Sequence, residues 1–306
     1  MSDAVRVVLF GAGASFGSEH VSPTRPPLGA GLYDELCRVY PDAWGILPAA
    51  ARHQFVPNFE LGMKQLWETG GHDVPVLLRC IAQYFTQFRA LHGNTYARLL
   101  EHLAFRGALE GTYFSSLNYE CIFEIAARQY GIRSIEYAPK SPSTANELSV
   151  WKLHGSCNFL PSSIAAASAA VSFSANAVTW DGEVRIVDPV EARAFIERSA
   201  FYPAMAVYME GKPIHSHPAL IYEFQRKWTD AVASAVAIGL VGVAPNPADV
   251  HLWKPLAEAE GTVVAIGDES ALTAWASSSR TGRKTIVLGR RFAESLLQFA
   301  EIFGGR

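Results

Sequence analysis

The chain has 306 residues and a net charge of −3 at pH 7, with 26 Lys plus Arg against 29 Asp plus Glu. This length suits one large α/β domain, or a main domain with a smaller insertion, and 49 % apolar residues supply a sizeable core. No basic tract recruits nucleic acid or an anionic membrane, so neither is expected as a partner.

Four cysteines, Cys37, Cys80, Cys121 and Cys157, stand far apart without a Cys-x-x-Cys pair. They read as reduced thiols of a cytoplasmic protein, not as a zinc ribbon. The opening MSDAVRVVLFGAG lacks a basic region and a cleavage site, and reads as a first strand rather than a signal peptide. The longest apolar run, Ala231 to Pro245, is shorter than the ~20 residues that span a bilayer. It reads as a helix end followed by a buried strand.

In chain order, Val5 to Phe10 is a continuous apolar run of the kind buried parallel strands show. GAGAS follows, Gly11 to Ser15, then a Pro-rich loop and a helix from about Leu32 to Tyr40. Val74 to Arg106 carries helical periodicity, with Leu77, Leu78, Ile81, Phe85 and Phe88 on one face. HGNT, His92 to Thr95, interrupts it, with Asn94 or Thr95 as a cap. Thr112 to Asn118 reads as a second strand, then a helix with Gly131 as its stop, then a third strand in ELSVWKLHG. The Ala/Ser-rich stretch 160–185 reads as a loop or small excursion. Helices are expected over Glu191 to Ala200 and Ala219 to Ala233. Strands follow at Ala235 to Val243, Thr262 to Gly267 and Lys284 to Gly289. Strands alternating with helices imply an α/β fold with a doubly wound parallel sheet.

Four strand ends carry small or polar residues. The glycines of GAGAS serve either a tight strand-to-helix turn or a close backbone approach to phosphate. Asn118 is either the cap of the helix near Glu120 or a contact for a small molecule at the sheet edge. His154 reads as a core histidine satisfied by a neighbour or as a general base at the mouth of the sheet; no second ligand stands beside it at metal-binding spacing. Asp249, ending GVAPNPAD, can cap the helix that follows.

Together, GAGAS, PPLG (Pro26 to Gly29), LNYE (Leu117 to Glu120), KLHGS (Lys152 to Ser156) and GVAPNPAD (Gly242 to Asp249) resemble, in order, the motifs of the sirtuin-like superfamily. The nearest branch is the bacterial sirtuin-like domains of antiphage NAD-depleting effectors, Thoeris-type and related. The resemblance implies one sirtuin-like domain over 1–306. A Rossmann-like core would cover about 1–34, 107–160 and 219–306, and a smaller, mostly helical subdomain about 35–106 with 161–218. It implies NAD as substrate in the cleft, and no metal. Gly11, Ala12, Gly13, Ala14 and Ser15 would hold the pyrophosphate. Leu117 and Asn118 would meet the nucleotide, Asn118 contacting the nicotinamide ribose or placing the attacking water. His154 would be the catalytic histidine beside it, and Gly242, Val243 and Asp249 would lie near the adenosine half. Glu120 stands where the family has Asp, and Val243-Ala244 replaces a Tyr-Ser pair.

The activity the resemblance implies is hydrolysis of NAD to nicotinamide and ADP-ribose, as an effector of bacterial antiviral defence. NAD-dependent protein deacylation and a non-catalytic NAD or ADP-ribose sensor are the alternatives. The residue types suit the hydrolysis: the glycosidic bond breaks toward an oxocarbenium ion, and a neutral-pH imidazole and a carboxamide suffice to aim a nucleophile. Toxic NAD loss requires control, so a homo-oligomer or a gating partner is expected.

Overall fold

The computed structural model describes residues 4–55, 58–69, 73–162, 171–174, 177–207, 213–289 and 291–305. The chain begins in β1 (Arg6–Phe10), turns through a short helix α1 (Ala12–Phe16) and the two-residue strand β2 (Val21–Ser22), and enters four helices. These are α2 (Gly29–Val39), α3 (Ala49–Phe55), α4 (Phe59–Thr69) and α5 (Val74–Phe85). Next come β3 (Arg89–Ala90), α6 (Thr95–Phe105), β4 (Thr112–Ser116), α7 (Ile122–Tyr130), β5 (Ser134–Glu136) and β6 (Glu147–Lys152). Four short strands follow, β7 (Phe159–Pro161), β8 (Val171–Ser174), β9 (Ala177–Trp180) and β10 (Val184–Ile186). The chain ends with α8 (Pro189–Arg198), α9 (Pro218–Ser234), β11 (Ala237–Val241), α10 (Val250–Glu258), β12 (Thr262–Ile266), α11 (Glu269–Ser279), β13 (Thr285–Val287) and α12 (Phe292–Gly304).

Seven strands pair in parallel in the order β13-β12-β11-β1-β4-β6-β5. Val8, Phe114 and Gly239 are in register on one face, which Phe10 shares. There Phe10 packs against Tyr96 of α6, Phe123 of α7 and Phe292 of α12. The other face carries Ser115. Its hydroxyl donates to the Val8 carbonyl at 2.7 Å and accepts the Trp228 indole N–H of α9 at 3.0 Å. Helices on both faces make this a doubly wound, Rossmann-like α/β sheet. Burial on both faces is also why β1, β11 and β12 read as nearly unbroken apolar runs.

Local signals set several helix ends. Asn94 caps α6 by accepting the Tyr96 N–H, and Gly131 ends α7 in the left-handed region at φ 116°. Asp188 caps α8 by accepting the Val190 and Glu191 N–H groups. α2, α3 and α4 bury an aromatic cluster in which Tyr33 stacks on Phe55 at 4.6 Å and Trp44 meets both Phe55 and Phe59. This cluster is continuous with the buried side chains of the sheet.

The stretch 160–185 is not a plain loop. β8 and β9 form an antiparallel hairpin, and β7 pairs with β10. Residues 163–170 and 175–176 of that stretch, and 208–212 beyond it, lie outside the described residues. Among the described residues no helix is long and apolar enough to cross a membrane.

Candidate functional site

Strand order reverses at β1. From β1 the chain moves to β4 on one side and returns later to β11 on the other, so a crevice opens beyond the carboxyl ends of β1 and β11. Both strands leave through glycine turns that lock together. The Gly11 N–H donates to the Val241 carbonyl at 2.9 Å, and the Gly13 N–H to the Gly242 carbonyl at 3.0 Å. Gly242 has φ +65°, and a Cβ there would stand 2.0 Å from the Ala14 nitrogen. The first job of these glycines is backbone contact between two turns. The amides of Gly11 and Gly13 are thereby engaged, so any phosphate held here depends on the remaining groups of the turn.

Two cavities meet at this junction. The outer cleft, about 870 Å³, is bordered by Gly11, Ala12, Gly13, Gly242 and Val243, with Asp268 and Arg291 on its far walls. The inner pocket, about 130 Å³, holds Ser15, Asn118, Glu120 and His154. Ala12, Leu117 and Asp249 border both. Every residue expected from the sequence therefore lines one cavity or both, except Ala14. Its side chain is fully buried in the core, on the inward face of α1, and it borders neither.

Asn118 does not cap α7. Its Nδ2 donates to the Gly11 carbonyl and to Ser15 Oγ, each at 3.1 Å. Both amide protons are committed, so the carbonyl Oδ1 is the group it offers to the pocket. The cap role falls to Glu120, whose Oε2 accepts the Ile122 N–H at 2.6 Å. Glu120 Oε1 accepts the Ser15 hydroxyl proton at 2.6 Å. Ser15 has one proton, so the 2.8 Å contact with Tyr96 is a bond donated by the Tyr96 hydroxyl. Burial, and then the charge of Glu120, push the Tyr96 phenol well above its usual range, which keeps it a donor. Burial raises the Glu120 carboxyl, against the opposing pull of Lys152 and of the Ser15 hydrogen bond.

Lys152 lies beneath this network, 1 % exposed. It pairs with Glu124 at 3.1 Å and donates to the Glu120 carbonyl at 2.6 Å. Burial works to lower its ionisation, but Glu124 and the other negative groups beside it outweigh burial and raise it. The ammonium thus stays charged and ties the start of α7 to β6. The Cys121 thiol beside it is pushed well up by its hydrogen bond with Cys157 and by burial.

His154 leaves β6 in a tight turn whose next residue, Gly155, has φ +77°. Its carbonyl accepts the Ala206 N–H at 2.9 Å, and the Leu153 carbonyl accepts the Gln225 amide of α9 at 2.9 Å. The ring borders the inner pocket and is 3 % exposed. Its Nε2 lies 3.3 Å from Nε2 of His251, with ring centroids 5.5 Å apart. His154 thus combines two of the sequence readings: it has a neighbour, and it faces a cavity.

Asp249 occupies the N-cap position of α10 but makes no side-chain cap bond. Its carboxylate instead takes the Asn246 amide at 3.4 Å and borders both cavities. The same Asn246 amide reaches Glu60 of α4 at 3.3 Å, which ties the Gly242–Asp249 loop to the helical layer.

Sequence reasoning missed His251, Glu60, Asp268 and Arg291. His251 is two residues beyond Asp249, close enough to a noted motif to have been weighed. Glu60, Asp268 and Arg291 carry no spacing signal. Asp268 caps α11 by accepting the Ala271 N–H at 3.1 Å, and Arg291 pairs with Glu294 at 3.0 Å. Among the described residues, no group of three or more His, Cys, Asp or Glu is placed to hold a metal ion.

No known protein-family model matches the chain, and no curated protein matches it. Among solved structures it is similar to a Sir2 crystallised with the inhibitor EX-527, 2′-O-acetyl-ADP-ribose and a deacetylated p53 peptide. The identity is 12 %, over 97 % of this chain and 91 % of that one, with a TM-score of 0.42.

Proposed function

We propose that this protein is an NAD glycohydrolase that releases nicotinamide and ADP-ribose. The observation that supports this reading is the adjacency of the two cavities, which share Ala12, Leu117 and Asp249 as walls. An outer cleft of about 870 Å³ at the strand-order reversal adjoins an inner pocket of about 130 Å³ lined by Asn118 and His154. That is the layout a dinucleotide with one reactive end requires. The ADP portion occupies the cleft between the two glycine turns, and the nicotinamide ribose enters the pocket.

The chemistry follows from the groups present. The bond between the ribose carbon and the nicotinamide nitrogen breaks, and its electron pair goes to the nitrogen, so a cationic ring leaves neutral and needs no acid. Water then adds its oxygen to the same carbon. Its proton passes to His154 and later to solvent. Asn118 Oδ1 accepts a hydrogen bond from the ribose hydroxyl or the attacking water and fixes its direction. The bonds from Asn118 to Gly11 and Ser15 hold that acceptor still.

A role in antiviral defence, and control by a homo-oligomer or a gating partner, belong to the same proposal. They rest on the likeness of the ordered motifs and on the toxicity of unchecked NAD loss. The test is to incubate purified protein with NAD and follow nicotinamide by chromatography. Release by wild type, lost in His154→Ala and in Asn118→Ala, is expected. Release only with an acylated peptide present would replace hydrolysis by deacylation, and tight NAD binding with no release in any condition would replace it by sensing.

A further inference from the structure

The contact between His154 and His251 is specific in what it permits. Two Nε2 atoms 3.3 Å apart repel if both carry a proton and repel if both present lone pairs. The contact is favourable when one ring donates and the other accepts, so the pair holds one proton between its two Nε2 atoms. The direction of that bond ties the tautomers of the two rings together.

The surroundings bias where charge goes when the pair takes up a further proton. His251 is the second residue of the nine-residue α10, where the positive end of the helix disfavours a second positive charge. His154 faces the inner pocket, whose wall also carries the carboxylates of Glu60, Glu120 and Asp249, the last at the N-cap of His251's own helix. Tyr119, also on the pocket wall, donates its hydroxyl proton to the Ala206 carbonyl, and α9 brings the neutral Gln225 amide to this turn. The pairing that fits these surroundings has His154 donating its Nε2 proton and His251 accepting it.

We propose that His251 is a positioning residue of the site: by sharing one proton with His154 it fixes the tautomer and ring direction of the base. This rests on the hydrolase reading for its kinetic consequence but not for the pairing itself. His251 borders neither cavity, so it acts through His154 and not on substrate.

The pairing is tested without turnover, by ¹⁵N ring signals of His154 at neutral pH in wild type, His251→Ala and His251→Gln. Wild type is expected to show a single tautomer, His251→Ala a mixture, and His251→Gln a single tautomer again, because its amide carbonyl can accept the same proton. An unchanged His154 signature in His251→Ala overturns the pairing. In NAD hydrolysis, His251→Ala is expected to lower kcat about tenfold or more at nearly constant KM, with partial recovery in His251→Gln. A change in KM alone, or equal losses in both variants, overturns the positioning role. A wild type that shows the single tautomer yet releases no nicotinamide sinks the hydrolase reading and leaves the pairing intact.

Discussion

A Cβ on Gly242 would stand 2.0 Å from the amide nitrogen of Ala14, so the turn after β11 and the turn after β1 are fitted backbone to backbone. No alanine fits there, and φ +65° independently disfavours a side chain. Gly242→Ala is expected to lose about 2–4 kcal/mol of stability, from left-handed strain plus overpacking. A denaturant midpoint unchanged from wild type would contradict the fit.

Ser15 connects three partners: it donates to Glu120 and accepts from Tyr96 and Asn118. Ser15→Ala leaves buried donors and an acceptor without their partner, which costs about 1–3 kcal/mol. It also frees the Asn118 amide to turn. The expected result is a loss of kcat for NAD hydrolysis larger than the change in KM, read by steady-state kinetics beside a stability measurement. Full activity in a folded Ser15→Ala protein would show that Asn118 needs no such restraint.

The Lys152–Glu124 pair is buried at both ends. Lys152→Met strands the Glu124 carboxylate in the core and is expected to destabilise by about 3–5 kcal/mol. Replacing both partners, Lys152→Met with Glu124→Met, removes the stranded charge and is expected to recover much of that loss. Denaturant unfolding of the two single variants and the double variant gives the coupling directly. Additive losses would mean the pair does not interact.

Glu120 supplies a pH signature. Burial raises its folded-state ionisation above the ordinary 4.5. Below that value the native and unfolded states both hold the proton. Between it and the raised folded value the native state binds more protons than the unfolded state, so wild-type stability falls as pH rises through that window. Glu120→Gln has no proton to lose. The stability of the variant minus that of wild type should climb as pH rises from about 4.5 and then level off. A difference that stays flat across unfolding curves from pH 4 to 8 would contradict the buried, raised carboxyl.

β1, β11 and β12 were legible as nearly unbroken apolar runs because parallel strands are buried on both faces, and β13, though only three residues long, was legible within KTIVLG. β5 was not: Ser134–Glu136 has one apolar residue between two exposed polar ones, so no apolar run marks it. The β8–β9 hairpin hid among alanines and serines that carry no period. At the site, Asn118, His154 and Asp249 were legible as polar groups where apolar strands end. Their bonds were not, and Asn118 and Asp249 both decline the cap roles their positions suggest. Ala14 was assigned to the phosphate turn by its place in GAGAS, but a helical turn sends one residue in four inward. His251, on α10 two residues past Asp249, was within reach of the GVAPNPAD motif, whereas Glu60 comes from α4 with no spacing signal.

The most direct test of the central claim is a crystal structure of His154→Ala with NAD. The expected result has the diphosphate between the turns at Gly11–Gly13 and Gly242–Val243, and the nicotinamide ribose within hydrogen-bonding distance of Asn118. NAD bound with its nicotinamide end toward Asp268 and Arg291, or bound away from the cleft altogether, would contradict the account.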